Sequence, residues 1–410
     1  MLCRTFGSRC LLGALTVLAP LAATAAEHEN SLDVFYHHGL HFETADQSFQ
    51  LTLGGRIQSD WAFFDKNNLP PGLDTFDDGT EFRRARLFLS GVIYGNVEFK
   101  AQYDFAGGDA VFKDVYIGLL DVNGLDHLRF GHQKEPFSIE ALTSSKYITF
   151  MERALPDVFA PERNTGVRVQ SAILDGRVTW SAGLFTEADD FGNNDDLDGG
   201  PNLTGRVTWL PLYQDGGRRL VHVGLSVTQK GVTDGVLQFA QRPEAHLAAR
   251  FADTGSFPAD TAFIYTTEVA WVRERLSLQG EFTQVDVDSR TANDPSFSGF
   301  YAQASFFLTR GDHRAYNTSV GAFDRVTPRK NYGSGGGGAL ELAARYSMID
   351  LTDEVISGGE LDDFTLGMNW YLNPSTRFSA NYVRSELTER DPSLDNDEFQ
   401  AFMVRFQVDF

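Results

Sequence analysis

From Val97 to Phe105 the chain alternates without a break. Val97, Phe99, Ala101, Tyr103 and Phe105 are apolar or aromatic, and Glu98, Lys100, Gln102 and Asp104 between them are charged or polar. A period of two held for that long marks a β-strand with one face against an apolar medium and the other against water. A helix would scatter the same residues around its circumference, because its side chains repeat about every 3.6 residues. The pattern recurs far along the chain. Leu203, Val207 and Trp209 oppose Thr204, Arg206 and Thr208, while Val221, Val223, Leu225 and Val227 oppose His222, Ser226, Thr228 and Lys230. Phe300 to Leu308 and Phe364 to Leu372 repeat it. Roughly 16 or 17 such runs can be traced, which commits most of the chain to antiparallel strands.

What surrounds those strands follows from composition. The 410 residues are 42% hydrophobic and 13% aromatic, with 34 Phe, so there is ample apolar surface to bury and a disordered or collagen-like chain is excluded. Residues 1–26 read as a secretory signal peptide: Arg4 and Arg9, an apolar run from Leu11 to Leu21, then Ala23-Thr24-Ala25-Ala26. Both cysteines, Cys3 and Cys10, lie within it, so the exported chain would be stabilised by burial and hydrogen bonding without disulfides. No later segment approaches about 18 uninterrupted apolar residues, and a membrane location would therefore require a closed barrel.

The connections point the same way. Gly95-Asn96, Asp175-Gly176 and Asn373-Pro374-Ser375 are tight-turn signals. Segments 187–202, 242–260, 286–298 and 311–339 are long and polar, and are expected as loops at the other end. The last strand carries Phe402, Val404, Phe406, Val408 and Phe410 on one face, which resembles the assembly signal of bacterial outer-membrane barrels. The chain is thus expected to be all-β, a transmembrane antiparallel β-barrel of 16 strands over residues 48–410, preceded by a solvated N-terminal segment, 27–47. Its expected home is the outer membrane.

Four stretches carry a closer resemblance. The segment Gly131 to Arg153, GHQKEPFSIEALTSSKYITFMER, is similar to the third-loop motif of the phosphate-selective porin O/P family. Leu53–Gln58, Phe82–Arg86 and the closing Asn369–Tyr371 with Ser379–Val383 fit the same family. The resemblance implies a homotrimer of 16-stranded barrels in which the third loop, about residues 134–165, folds inward and narrows each pore. It also implies an anion site built from Arg83, Arg84, Ser144, Ser145 and Arg153, with Asp114 as an acidic partner. Lys134, Thr143 and Lys146 lie in or beside the same motif. The family's anion-binding lysine, two positions before Thr143, is Ala141 here. Strand phase adds Arg86, which shares a face with Arg84 and leaves Arg83 pointing to lipid unless a bulge intervenes.

The chemistry suits an oxyanion such as phosphate or polyphosphate. An ion losing hydration in a narrow passage needs replacement donors, which guanidinium forks and hydroxyls supply. A formal charge of −21 runs against this only if the acids face the lumen. The expected function is passive diffusion of small solutes with anion preference; a general or cation-tolerant porin, or a barrel hydrolase, are the alternatives. Ser144 has no histidine nearby in sequence, which speaks against a hydrolase. Other partners expected are outer-membrane lipid and lipopolysaccharide. No cofactor or metal is implied: His37, His38 and His41 lack a compact ligand set, and Asp189, Asp190, Asp195, Asp196 and Asp198 lack the calcium-loop pattern. The glycine run 333–338 precedes no Lys-Ser or Lys-Thr, and no basic stripe supports nucleic-acid binding.

Overall fold

The computed structural model describes residues 31–410 apart from 68, 70–72, 195–198, 354 and 389–396. The signal-peptide segment 1–26 and Asp195, Asp196 and Asp198 lie outside the described residues. The alternating runs form sixteen barrel strands: β1 Phe49–Asp65, β2 Gly79–Ile93, β3 Val97–Asp104, β4 Val111–Val122, β5 Leu125–Lys134, β6 Arg163–Ile173, β7 Val178–Thr186 and β8 Asn202–Gln214. They continue with β9 Arg219–Gly231, β10 Thr261–Arg273, β11 Leu276–Asp288, β12 Ser296–Phe307, β13 Ala339–Asp353, β14 Ile356–Asn373, β15 Thr376–Thr388 and β16 Asp397–Asp409. Each pairs antiparallel with the next, and β16 closes on β1 with Asp409 opposite Arg56 and Gln400 opposite Asp65. Among the described residues the sixteen strands form a closed ring, which is how strands meet the need for paired backbone in a bilayer.

The alternation sorts the side chains as expected. On β10, Phe263 and Val269 are exposed on the outer surface, while Ala262, Ile264, Thr266 and Glu268 are buried inside. Residues 32–44, expected as a solvated segment, form a hairpin, Leu32–Tyr36 with Leu40–Thr44, which pairs onto the first residues of β1. Beside it the carbonyl of Phe410 accepts from the Gly55 N–H at 2.7 Å.

Two long connections depart from the expected arrangement. Segment 242–260 is not a free polar loop: Phe251 and Ala252 are buried in one core with Phe239, with Phe137, Met151, Leu155 and Phe159 of the third loop, and with barrel residues such as Phe399. The connection 308–338 leaves β12 at the end of the tight turns, not at the loop end. It folds inward, burying Tyr316 and Phe323 against Ile139 of the third loop.

The third loop goes inward because it brings apolar side chains that have no place in water: Phe137, Ile139, Ile148, Phe150, Met151 and Leu155 are all buried. Polar ties fix it. The Glu281 carboxylate accepts from the Ser138 hydroxyl (3.0 Å) and from the N–H groups of Ile139 (2.8 Å) and Glu140 (3.2 Å), satisfying the start of the helical turn Ile139–Leu142. Arg377 donates to the Ile148 carbonyl at 2.8 Å and Arg405 to that of Met151 at 2.5 Å.

Candidate functional site

Where the third loop faces β1 to β6, it encloses a cavity of about 390 Å³. The wall that meets it is shaped by two irregularities. Gln58 of β1 pairs with Arg84, but Ser59 pairs with Phe82, so Arg83 is an extra residue on β2. That bulge resets the strand phase: Arg83, Arg84 and Arg86 all line the cavity, while Phe82 and Leu87 are exposed on the outer face. A second shift on the adjoining strands places Lys113 and Asp114 of β4 opposite Gln102 of β3. Both side chains reach the cavity.

Eight of the ten residues expected from sequence line this space: Arg83, Arg84, Arg86, Asp114, Lys134, Ser144, Ser145 and Arg153. Thr143 and Lys146 are outside the lining. Thr143 is buried and its hydroxyl donates to the Ile139 carbonyl at 2.7 Å, closing the helical turn. Lys146 points toward Asp409, 3.6 Å away, and lies over the Tyr147 ring. The cavity also takes in Arg56, Lys100, Lys113 and Arg163, which sequence reasoning did not select. A signal was present for two of them, since Lys100 lies on the polar face of the first strand recognised and Arg56 lies within Leu53–Gln58.

Nine cationic side chains therefore face five carboxylates. Their pairings differ. Arg83 forms a two-pronged ion pair with Glu152, both contacts 2.9 Å; Arg86 pairs with Asp104 at 2.6 Å; and Asp114 is shared by Lys100 (2.6 Å) and Arg163 (2.8 Å). Arg56 instead donates to the hydroxyls of Ser145 (2.7 Å) and Ser144 (3.4 Å), and Arg84 to the side-chain amide oxygen of Gln58 (3.0 Å). Among the described residues neither has a carboxylate within ion-pair distance. Their partners leave guanidinium N–H groups to spare.

At Ala141 the side chain is a methyl group, and its carbonyl is held by two cations, Lys134 and Arg153. Arg153 also donates to the carbonyls of Glu140 and Thr143, at 3.1 and 3.2 Å. Within the loop, burial disfavours the Glu152 carboxylate, but Arg83, Arg405 and Arg84 outweigh it and hold its pKa well below the usual range. Burial pushes Glu140 up to about 7 despite Arg345. A second cavity of about 240 Å³, lined partly by the β7–β8 loop residues Glu187, Asp189 and Asp190, shares Lys113, Glu162 and Arg163 with the first.

A barrel closed on sixteen strands, an inward third loop and a cation-rich space between them are now in view. The sequence profile of the family described as "Phosphate-selective porin O and P" matches residues 51–410. The chain belongs to this porin family. Among its relatives, Porin O of Pseudomonas aeruginosa is 27% identical over 91% of this chain and 91% of its own length. An uncharacterised protein of Caulobacter vibrioides is 31% identical over 90% of this chain and 75% of that one. Among solved structures, the anion-selective porin from Comamonas acidovorans shares the fold, with a TM-score of 0.57 at 14% identity, covering 88% of this porin and all of that chain. The protein is an outer-membrane porin, a channel through which small solutes diffuse.

Proposed function

We propose that this porin prefers anions and that its constriction favours oxyanions such as phosphate or polyphosphate. One observation carries the reading: Arg56 and Arg84, both buried, donate only to neutral oxygens, those of Ser144, Ser145 and Gln58. A buried guanidinium without a counter-charge is costly, and a passing anion supplies that charge. The spare N–H groups offer the charged bonds that replace its hydration, while the serine hydroxyls complete the shell. Asp114, beside Lys100 and Arg163, moderates the attraction so that the ion can leave. Lys134 and Arg153 supply positive charge at the position of the missing family lysine, Ala141. The description of the family, phosphate-selective porin O and P, supports the phosphate reading. A homotrimer, as the family resemblance implies, is part of the proposal, as is a surround of outer-membrane lipid and lipopolysaccharide.

Planar-bilayer recording in a potassium chloride gradient tests it. The reversal potential should carry the anion-selective sign, and millimolar phosphate should block the chloride current. A cation-selective sign overturns the anion reading, and an unblocked current removes phosphate from it. Chemical cross-linking before denaturing electrophoresis should give a ladder ending at three chains.

A further inference from the structure

Away from the constriction, the outward face of β10 to β14 carries an apolar groove of about 530 Å³. Register makes it. Gly280 pairs with Ala302, and Ala304 pairs with Leu278 on one side and Ala344 on the other, so four small residues adjoin on the lipid-facing side. Trp271 and Tyr346 stand at its borders. A wall of full-sized side chains would be filled at this place.

Charge lies next to it. Two residues beyond Trp271, on the same outward face and at the turn end of the barrel, is Arg273. Its cross-strand partner on β9 is Arg219. Both are exposed, and like charges directly opposite one another are destabilising. Among the described residues neither has an ion-pair partner. Arg275 follows in the turn, its guanidinium 4.7 Å above the Phe306 ring and its remaining bond, to the Leu308 carbonyl, a long 3.4 Å. The neighbouring Arg218 is different, since it pairs with Glu274 at 3.1 Å and donates to the Gly311 carbonyl at 2.9 Å.

We propose that this face binds one anionic diacyl phospholipid, its phosphate between Arg219 and Arg273, and an acyl chain lying in the groove. The assignment as a membrane-spanning barrel puts lipid against this surface, and charge complementarity selects the headgroup. Rim cations and an aromatic border at the edge of an apolar band are the features that hold lipid at an interface. An occupant with a phosphate at that height also relieves the Arg219–Arg273 repulsion, which water does only in part.

Native mass spectrometry of the detergent-solubilised full chain, titrated with phosphatidylglycerol and separately with phosphatidylcholine, tests the site. The expected result is a retained phosphatidylglycerol adduct at a concentration where phosphatidylcholine is stripped. The double variant Arg219→Gln, Arg273→Gln should weaken retention roughly 10- to 30-fold, on the attraction of rim cations for anionic headgroups. Arg218→Gln should leave it unchanged, and Ala304→Trp, which fills the groove, should reduce it with the arginines intact. Equal retention of the two lipids, or no change in the double variant, overturns the proposal. So does a change of oligomeric state in Ala304→Trp with lipid retention unaltered, which would make the groove a seat for a second copy. Channel conductance reads out folding in every variant and does not depend on these residues.

Discussion

Two groups of arginines on the inward face of this barrel differ in their partners. Arg206, Arg345 and Arg405 are each bonded to carboxylates and to loop carbonyls. Arg345 donates to Glu244 at 3.0 Å, to Glu140 at 3.2 Å and to the Glu152 carbonyl at 3.0 Å, and stacks 4.4 Å over Phe150. Arg206 grips Glu268 with contacts of 2.8 and 2.6 Å and holds the carbonyls of Val320 and Gly321. Arg56 and Arg84, on β1 and β2, meet only neutral oxygens. The residue type is constant and the pairing differs: Arg206, Arg345 and Arg405 tie inward segments to the wall through carboxylates and carbonyls, whereas Arg56 and Arg84 face the cavity with N–H groups to spare and no carboxylate partner. The same contrast explains why a net charge of −21 is compatible with a locally positive passage.

The largest test of this division removes a carboxylate-paired arginine. Arg345→Ala leaves Glu244 and Glu140 buried without their counter-charge and frees the Glu152 carbonyl, so a loss of about 3–5 kcal/mol is expected. Urea denaturation followed by electrophoretic mobility should show it. A variant as stable as the parent would mean that the paired arginines do not hold the loop.

The complementary change is Arg56→Gln with Arg84→Gln. No carboxylate loses a direct ion-pair partner and two buried uncompensated charges are removed, so stability should hold or rise, by about 1–3 kcal/mol at most. Phosphate block should instead weaken by roughly 100-fold, at about 1.5 kcal/mol for each charged bond removed, and the reversal potential should move toward zero. If stability falls while block persists, the two classes of arginine have been assigned the wrong way round.

How much of this division could be read from sequence depends on what each feature requires. Strand phase needs only neighbours in sequence, which is why the barrel, and Arg84 with Arg86 on one inward face, were legible. The bulges at Arg83 and at Lys113–Asp114 were not, because an extra residue is defined only against its partner strand. Lys100 had the right phase, but nothing local tells how far along the lumen a residue stands. The connection 308–338 is a miss of another kind. Strand parity alone sends it to the turn end, since one tight turn and one loop lie between β10 and β12; its polar composition suggested the wrong end. Tyr316 and Phe323 were the sign that it does not stay in water.

Ala141 offers a smaller probe of the cavity wall. Ala141→Lys restores the lysine that the family resemblance calls for, in a cavity where Lys134 and Arg153 already gather at its carbonyl. Phosphate block should tighten by about tenfold, the value of one added charge-assisted bond. The gain is bounded by repulsion from those two neighbours, so an unchanged block would show that they already supply all the charge the ion can use.

The smallest effect comes from Lys146, which belongs to neither class. It sits in the inward loop beside Asp409, and burial, with Arg56 and Arg325 nearby, lowers its pKa to about 8 against the opposing pull of Asp409. The folded chain therefore binds fewer protons at this site than the unfolded chain between about pH 8 and the ordinary lysine range near 10.4, and stability from this group rises with pH across that window. Its effect on conduction has the other sign. Raising the pH from 7 to 9 removes a positive charge near Arg56 but outside the cavity lining, so anion preference should fall by less than about twofold, the scale of a partly screened charge. Lys146→Met should remove the part of that pH dependence centred near pH 8, leaving the part set by Glu140 near 7, and should leave phosphate block at pH 7 close to its original strength. If the variant loses block as severely as the Arg56 and Arg84 pair, Lys146 contacts the solute directly, and the boundary drawn between the cavity and its surroundings is misplaced.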